Sequence, residues 1–110
     1  MAVKFNFQSL DQAVEADWPV SVNVPTDGGK VEVQTFTARF KLLQQAEIEA
    51  AIAEAKDAYE LARRFFVGFG KGEETTLTED LFVKMMGTPY VREAIQAAYR
   101  NFTHGVAVKN

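Results

Sequence analysis

The sequence predicts an α+β domain: an N-terminal β-hairpin or small antiparallel sheet, then a helical C-terminal bundle of one long helix plus two shorter helices. Three observations predict it. Apolar and polar residues alternate at period two over much of residues 1–41, the signature of half-buried strands. From residue 42 onward apolar residues recur at steps of three and four, which places them on one face of a helix. The two patterns follow one another instead of alternating, and that order separates α+β from α/β. A chain of 110 residues is one domain's worth, and no linker or repeat divides it. It reads as a strand-rich part (1–41), a helical part (42–105) and a short tail (106–110).

The elements follow in order. Val3, Phe5 and Phe7 alternate with Lys4, Asn6 and Gln8, consistent with a short strand. Ser9 and Gln12 have the spacing of a capping box, which opens a helical turn through Ala13 to Ala16. Asp17-Trp18-Pro19 stops it, because the residue before a proline avoids the helical region. Val20, Val22 and Val24, the turn Pro25-Thr26-Asp27-Gly28-Gly29, and Val31 and Val33 form the clearest hairpin in the chain. Phe36, Ala38 and Phe40 continue the second strand with the opposite parity. Either a β-bulge near Gln34-Thr35 turns the side chains over, or both faces are partly covered.

Leu42 to Gly70 reads as the long helix around which the fold is organised. Ile48, Ile52, Ala55, Tyr59, Ala62 and Phe66 make its apolar stripe. Its end, Phe65-Phe66-Val67-Gly68-Phe69-Gly70-Lys71-Gly72, admits two readings. One is a helix terminus packed into the core with glycines as cap and loop. The other is an aromatic docking surface. Thr76-Leu77-Thr78-Glu79 fits a second capping box, and Leu77, Leu81 and Met85 fall on one face of the helix that Gly87 ends. Thr88 caps the last helix and Pro89 takes its first position. Val91, Ile95, Ala98 and Phe102 form its stripe, and His104-Gly105 stops it.

Composition narrows the function classes. The chain is 47 % hydrophobic and 25 % charged, with a net charge of −3 and no cysteine. The negative balance argues against nucleic acid or an anionic membrane as partner. The missing cysteines remove disulfides, thiolate metal sites and cysteine nucleophiles. No window reaches the ~20 apolar residues of a membrane span, and no signal-peptide core is visible. These features lead to the expectation of a cytoplasmic protein.

No catalytic constellation emerges, so no enzyme activity, metal or cofactor is expected. His104 is the single histidine and sits where it would complement a helix end. Glu47, Glu49, Glu54, Asp57 and Glu60 have the spacing of a solvated helix face, with Lys56, Arg63 and Arg64 as counter-charges. Gly68-Phe69-Gly70-Lys71-Gly72 follows a helix and leads into Glu73-Glu74. A phosphate loop would follow a strand and place Ser or Thr after its lysine.

Several stretches together resemble the tail assembly chaperones of long-tailed bacteriophages and prophages. They are Trp18-Pro19-Val20-Ser21-Val22-Asn23-Val24-Pro25 with its glycine turn and Phe36-Thr37-Ala38-Arg39-Phe40. They continue with Val67-Gly68-Phe69, similar to the family's Gly-Trp motif with Phe69 in place of tryptophan. Leu77 to Met86, then Pro89-Tyr90-Val91-Arg92-Glu93-Ala94-Ile95 with Ala98-Tyr99, resemble the family's final helical pair, and Lys109-Asn110 its ending. The resemblance implies a non-enzymatic protein that binds the tape measure protein during tail morphogenesis, with the tail tube protein as a further partner. It also implies a protein absent from the mature virion. A programmed −1 frameshift near Val108-Lys109-Asn110, which a run of A can encode, would extend the family's product. Phe65, Phe69, Tyr90 and Tyr99 are the partner-binding candidates, each with core packing as its alternative role. A structural or adaptor protein retained in a phage tail is the alternative function.

Overall fold

The computed structural model describes residues 2–108; the ending Lys109-Asn110, and with it that part of the resemblance, lies outside them. The fold is α+β. Strands β1 (Glu15–Thr26), β2 (Lys30–Lys41) and β3 (Phe66–Phe69) form an antiparallel sheet in the order β1-β2-β3. The helices are α1 (Gln45–Ala53), α2 (Glu60–Phe65), α3 (Glu79–Gly87) and α4 (Pro89–Thr103).

The hairpin forms where the alternation puts it. Asp27-Gly28-Gly29 make its turn, and both glycines have positive φ, 79° and 74°. Only glycine adopts that geometry without a steric cost. The register is continuous from Glu15↔Lys41 to Thr26↔Lys30, so no bulge interrupts Gln34-Thr35 on the β1 side. Val20 faces Phe36 and Trp18 faces Ala38, which puts these on the covered face. The parity change arises because Val31 and Val33 lie on the other face, 60 % and 62 % exposed. A shift does occur between β2 and β3, at Arg39/Phe40.

The first residues depart from expectation. Val3, Phe5 and Phe7 join no strand, and Phe7–Asp11 is a 3-10 turn capped by Asn6, whose side chain accepts from Gln8 N at 3.1 Å. Glu15 and Ala16 belong to β1, as do Asp17, Trp18 and Pro19. Pro19 is tolerated because β1 is an edge strand, where a missing N–H breaks no ladder. Trp18 packs on Phe102 with ring centroids 5.4 Å apart.

The expected long helix is three elements. α1 stops at Ala53, the chain turns, α2 runs for six residues, and Phe66–Phe69 becomes β3. Asp57 explains the interruption. Its Oδ1 accepts from Tyr59 N and from Arg63 Nη1, each at 2.8 Å, so a side chain takes the place of a helical carbonyl. Ile52 and Ala55, expected on the buried stripe, are exposed, while Ala62 and Phe66 are core. β3 forms because Phe66 and Phe69 find Phe40 and Ala38 opposite them on β2.

Beyond β3, Gly70 lets the chain cross close to the sheet. Its N–H donates to Thr37 O at 2.9 Å, and Lys71 N donates to Asp17 Oδ2 at 2.9 Å. A Cβ at Gly70 would collide with Thr37 Cγ2 and lie 2.8 Å from Asp17 Cγ. The cap of α3 is Thr78, not Thr76: Thr78 Oγ1 accepts from Leu81 N at 3.2 Å. Glu79 turns to Arg63 instead of reaching back. α4 begins with Thr88 and Pro89 and ends at His104-Gly105, with Gly105 at φ 67°.

The core lies between the sheet and the helices. Phe40 is fully buried at its centre, within 6.0 Å of the rings of Phe65, Phe66, Tyr99 and Phe102. Tyr99 also pins the chain as it leaves β2: its hydroxyl donates to Lys41 O at 2.9 Å and accepts from Leu43 N at 3.1 Å. Among the described residues no helix is long and apolar enough to cross a membrane.

Candidate functional site

An open apolar groove runs between the outer half of the hairpin and the α3–α4 corner. One part, about 310 Å³, is lined by Val22, Val24, Phe36, Met85, Tyr90 and Val91 among others. A second, about 300 Å³, is lined by Phe36, Phe69, Glu73, Thr75, Leu81 and Met85. Phe36 and Met85 line both, so the two parts adjoin across these side chains, with Tyr90 in one and Phe69 in the other. The lining is mostly apolar, and the methionine gives it an adaptable surface.

The fold builds this groove by overhang. β1 and β2 extend past the helices, so their inner face is uncovered from about Val24 and Phe36 outward. α4 packs on β1 nearer the strand's start, with Ile95 and Ala98 buried. Met85 and Leu81 come one turn apart on α3 and face the same side.

The four sequence candidates divide. Phe65 is 4 % exposed and stacks on Tyr99, ring centroids 3.7 Å apart and planes 11° off parallel. Phe65 is therefore a core residue, which together with Tyr99 also lines a separate cavity of about 400 Å³ between α2 and α4. Tyr99 is half-buried and held by both of its hydrogen bonds, and burial raises its hydroxyl pKa above the ordinary value. Phe69 is half-buried and packs edge-on against Phe36 at 5.8 Å. Tyr90 is 38 % exposed at the rim. Phe69 lines one part of the groove and Tyr90 the other, and Phe65 and Tyr99 lie away from both. Phe36 and Met85, which line both parts, read from the sequence as strand and helix-face residues and are not among the four partner-binding candidates. The signal for Phe36 was the parity change after Val33, which separates a covered face from an open one.

The charged residues make struts. Arg63 donates to Asp57 at 2.8 Å and to Glu79 at 2.8 Å, and its guanidinium lies 5.3 Å from the Phe82 ring centroid. It thereby joins α2, the turn before it and α3. Hydrogen bonding to Arg63 holds the Glu79 and Asp57 carboxyls below their ordinary values, with Tyr59 N adding to the effect on Asp57. Arg64 pairs with Glu54 at 3.0 Å and with Glu60 at 3.2 Å. His104 Nδ1 lies 2.8 Å from Arg100 O at the end of α4. Among the described residues no three His, Asp or Glu side chains gather as metal ligands would.

No family model, curated protein or solved structure matches this chain.

Proposed function

We propose that this protein is a non-enzymatic phage tail assembly chaperone that binds the tape measure protein during tail morphogenesis in the host cytoplasm. One observation carries the reading. Three parts of the resemblance, far apart in sequence, each supply walls of the groove. The hairpin gives Val22, Val24 and Phe36, the Val67-Gly68-Phe69 segment gives Phe69, and the helical pair gives Leu81, Met85, Tyr90 and Val91. A tape measure protein is long and helical, and its exposed apolar seams would aggregate before the tube closes round them. An open groove with an exposed aromatic at its rim suits a repeated, reversible contact with such a seam.

The test is co-expression with the long helical protein encoded in the same gene cluster. The wild type keeps that protein soluble and co-purifies with it. Tyr90→Ala loses co-purification at an unchanged melting temperature, because Tyr90 contributes little to the core. Finished particles lack the chaperone. Its presence in purified particles favours a retained adaptor instead, and co-purification indifferent to Tyr90→Ala and Met85→Glu removes the groove from the account.

A further inference from the structure

We propose that the client is held as an extended segment, added as a strand to the open edge of β2 beyond β3. This rests on the proposed function and specifies the partner's chemistry: a stretch outside the client's helices, apolar at its centre and bracketed by cations.

The open edge follows from the backbone alternation. β3 pairs with β2 at Ala38, Arg39 and Phe40. Thr37 points its backbone to the β3 side: its O accepts from Gly70 N at 2.9 Å, and its N donates to the Glu73 carboxylate at 2.7 Å. Strand residues two apart point their backbone groups the same way. Thr35, Val33 and Val31 therefore aim their N–H and C=O groups at that side, where no strand of the described residues lies. All three are exposed, and no proline or bulge interrupts this half of β2. A long, flat edge with exposed β-branched residues is a template for another strand. The other edge of the sheet is protected. The parity of β1 turns Pro19 and Pro25 outward, and a proline offers no N–H to an added strand.

This edge adjoins the groove. Gln34 and Phe36 are on the inner face of β2 and line it, with Phe69, Leu81 and Met85 alongside. A strand laid antiparallel to β2, in line with β3, begins opposite Phe36 and ends opposite Val31. Directly opposed residues share a face of the sheet. Residues opposite Phe36, Gln34 and Glu32 therefore turn to the groove side. Those opposite Thr35, Val33 and Val31 turn to the outer face and exchange the backbone hydrogen bonds. A helix in the groove would leave the backbone groups of the edge to water. An extended segment uses the edge and the apolar lining together, backbone for affinity and alternate side chains for selection.

Charge sets the flanks. Glu73 is the one charged side chain among the described residues lining the two parts, and its carboxylate accepts from a backbone N–H. It stands at the Phe36 end. Glu32 shares the inner face at the other end, where its carboxylate accepts from Gln34 Nε2 at 2.9 Å. A segment with Lys or Arg opposite Phe36 and opposite Glu32 meets a carboxylate at each end. The chain's net charge of −3 favours the same sign of partner.

The test uses the full chain and a synthetic peptide, Lys-Thr-Leu-Val-Lys-Val with blocked ends, whose first residue falls opposite Phe36. Binding slows hydrogen exchange at Val31, Val33 and Thr35. N-methylation of the second and fourth peptide residues, whose N–H groups face β2, weakens binding at least about tenfold. N-methylation of the third and fifth, whose N–H groups face away, leaves it unchanged. Glu73→Gln weakens binding about threefold, and does not affect a peptide with Gln in place of the first Lys. Equal loss from the two methylation patterns overturns the proposal. So do amides that stay fast with peptide bound, no binding at millimolar peptide, or an edge already closed by a second copy of this chain. The complex with the co-expressed client separates this inference from the proposed function. A client that co-purifies while the three amides stay fast overturns strand addition alone. A client that does not co-purify overturns the proposed function and this inference with it.

Discussion

β2 lives in two environments. Its inner half, Phe36 to Lys41, has β1 on one edge and, from Ala38 to Phe40, β3 on the other, and Phe40 and Ala38 are fully buried. Its outer half, Lys30 to Thr35, is paired on one edge only and exposed throughout. Both halves are rich in β-branched and aromatic residues, so strand propensity does not distinguish them. What differs is what the rest of the chain lays over them. The inner half holds the molecule together, and the outer half is a surface with strand geometry already in place.

Substitutions along this strand sharpen the contrast, and the largest effect belongs at its inner end. Phe40→Ala removes the hub of the aromatic cluster and should cost about 3–5 kcal/mol, read as a loss of cooperative unfolding or a much lower denaturation midpoint. Next comes Tyr99→Phe, which keeps the ring against Phe65 and removes the hydroxyl from Lys41 O and Leu43 N. The expected loss is about 1 kcal/mol, measured by denaturant titration. If the loss is nil, water replaces the hydroxyl and the end of β2 is not pinned by α4.

Acid should act on the inner half first. Asp17 accepts from Lys71 N and from Arg39, and these contacts hold its pKa below the ordinary 3.8. Glu79 is held below 4.5 by Arg63. A carboxyl with a lowered folded-state pKa contributes fully above its unfolded value and loses that contribution as pH falls through the folded one. Melting temperatures should therefore hold steady down to about pH 4.5 and decline below it, the decline being smaller in Asp17→Asn. The smallest effect belongs to the outer half. Val33→Thr keeps the β-branch and the backbone N–H at an exposed position. It should change the stability of the dilute protein by no more than about 0.5 kcal/mol, by thermal melting.

The same contrast explains what was legible in the sequence. The hairpin was, because its alternation and its Asp-Gly-Gly turn are local signals. The last helix was, because Thr88-Pro89, the Val91-to-Phe102 stripe and His104-Gly105 mark both ends and the face between. The break after Ala53 was not. Ala-rich propensity and a continuous stripe favoured one long helix, and the winning term was Asp57, whose partner Arg63 is set by the fold. Phe66 to Phe69 became a strand because Phe40 and Ala38 lay across from it, a long-range fact that no window of sequence contains. The groove was half legible: Phe69 and Tyr90 stood out as aromatics near helix ends, while Phe36 and Met85 acquired a role only when β2 and α3 met.

The interruption after Ala53 has one more consequence. α1 fully buries a single side chain, Ala51, and its main neighbour is the still shorter α2. A nine-residue helix with so little burial has almost no stability of its own, whereas α4 is locked to β1. The two helices therefore belong to different cooperative units. α1 can open while the core stays folded, and each opening loosens the Ala53-to-Asp57 turn, which is exposed already, so that the chain can be nicked there without unfolding the rest of the molecule.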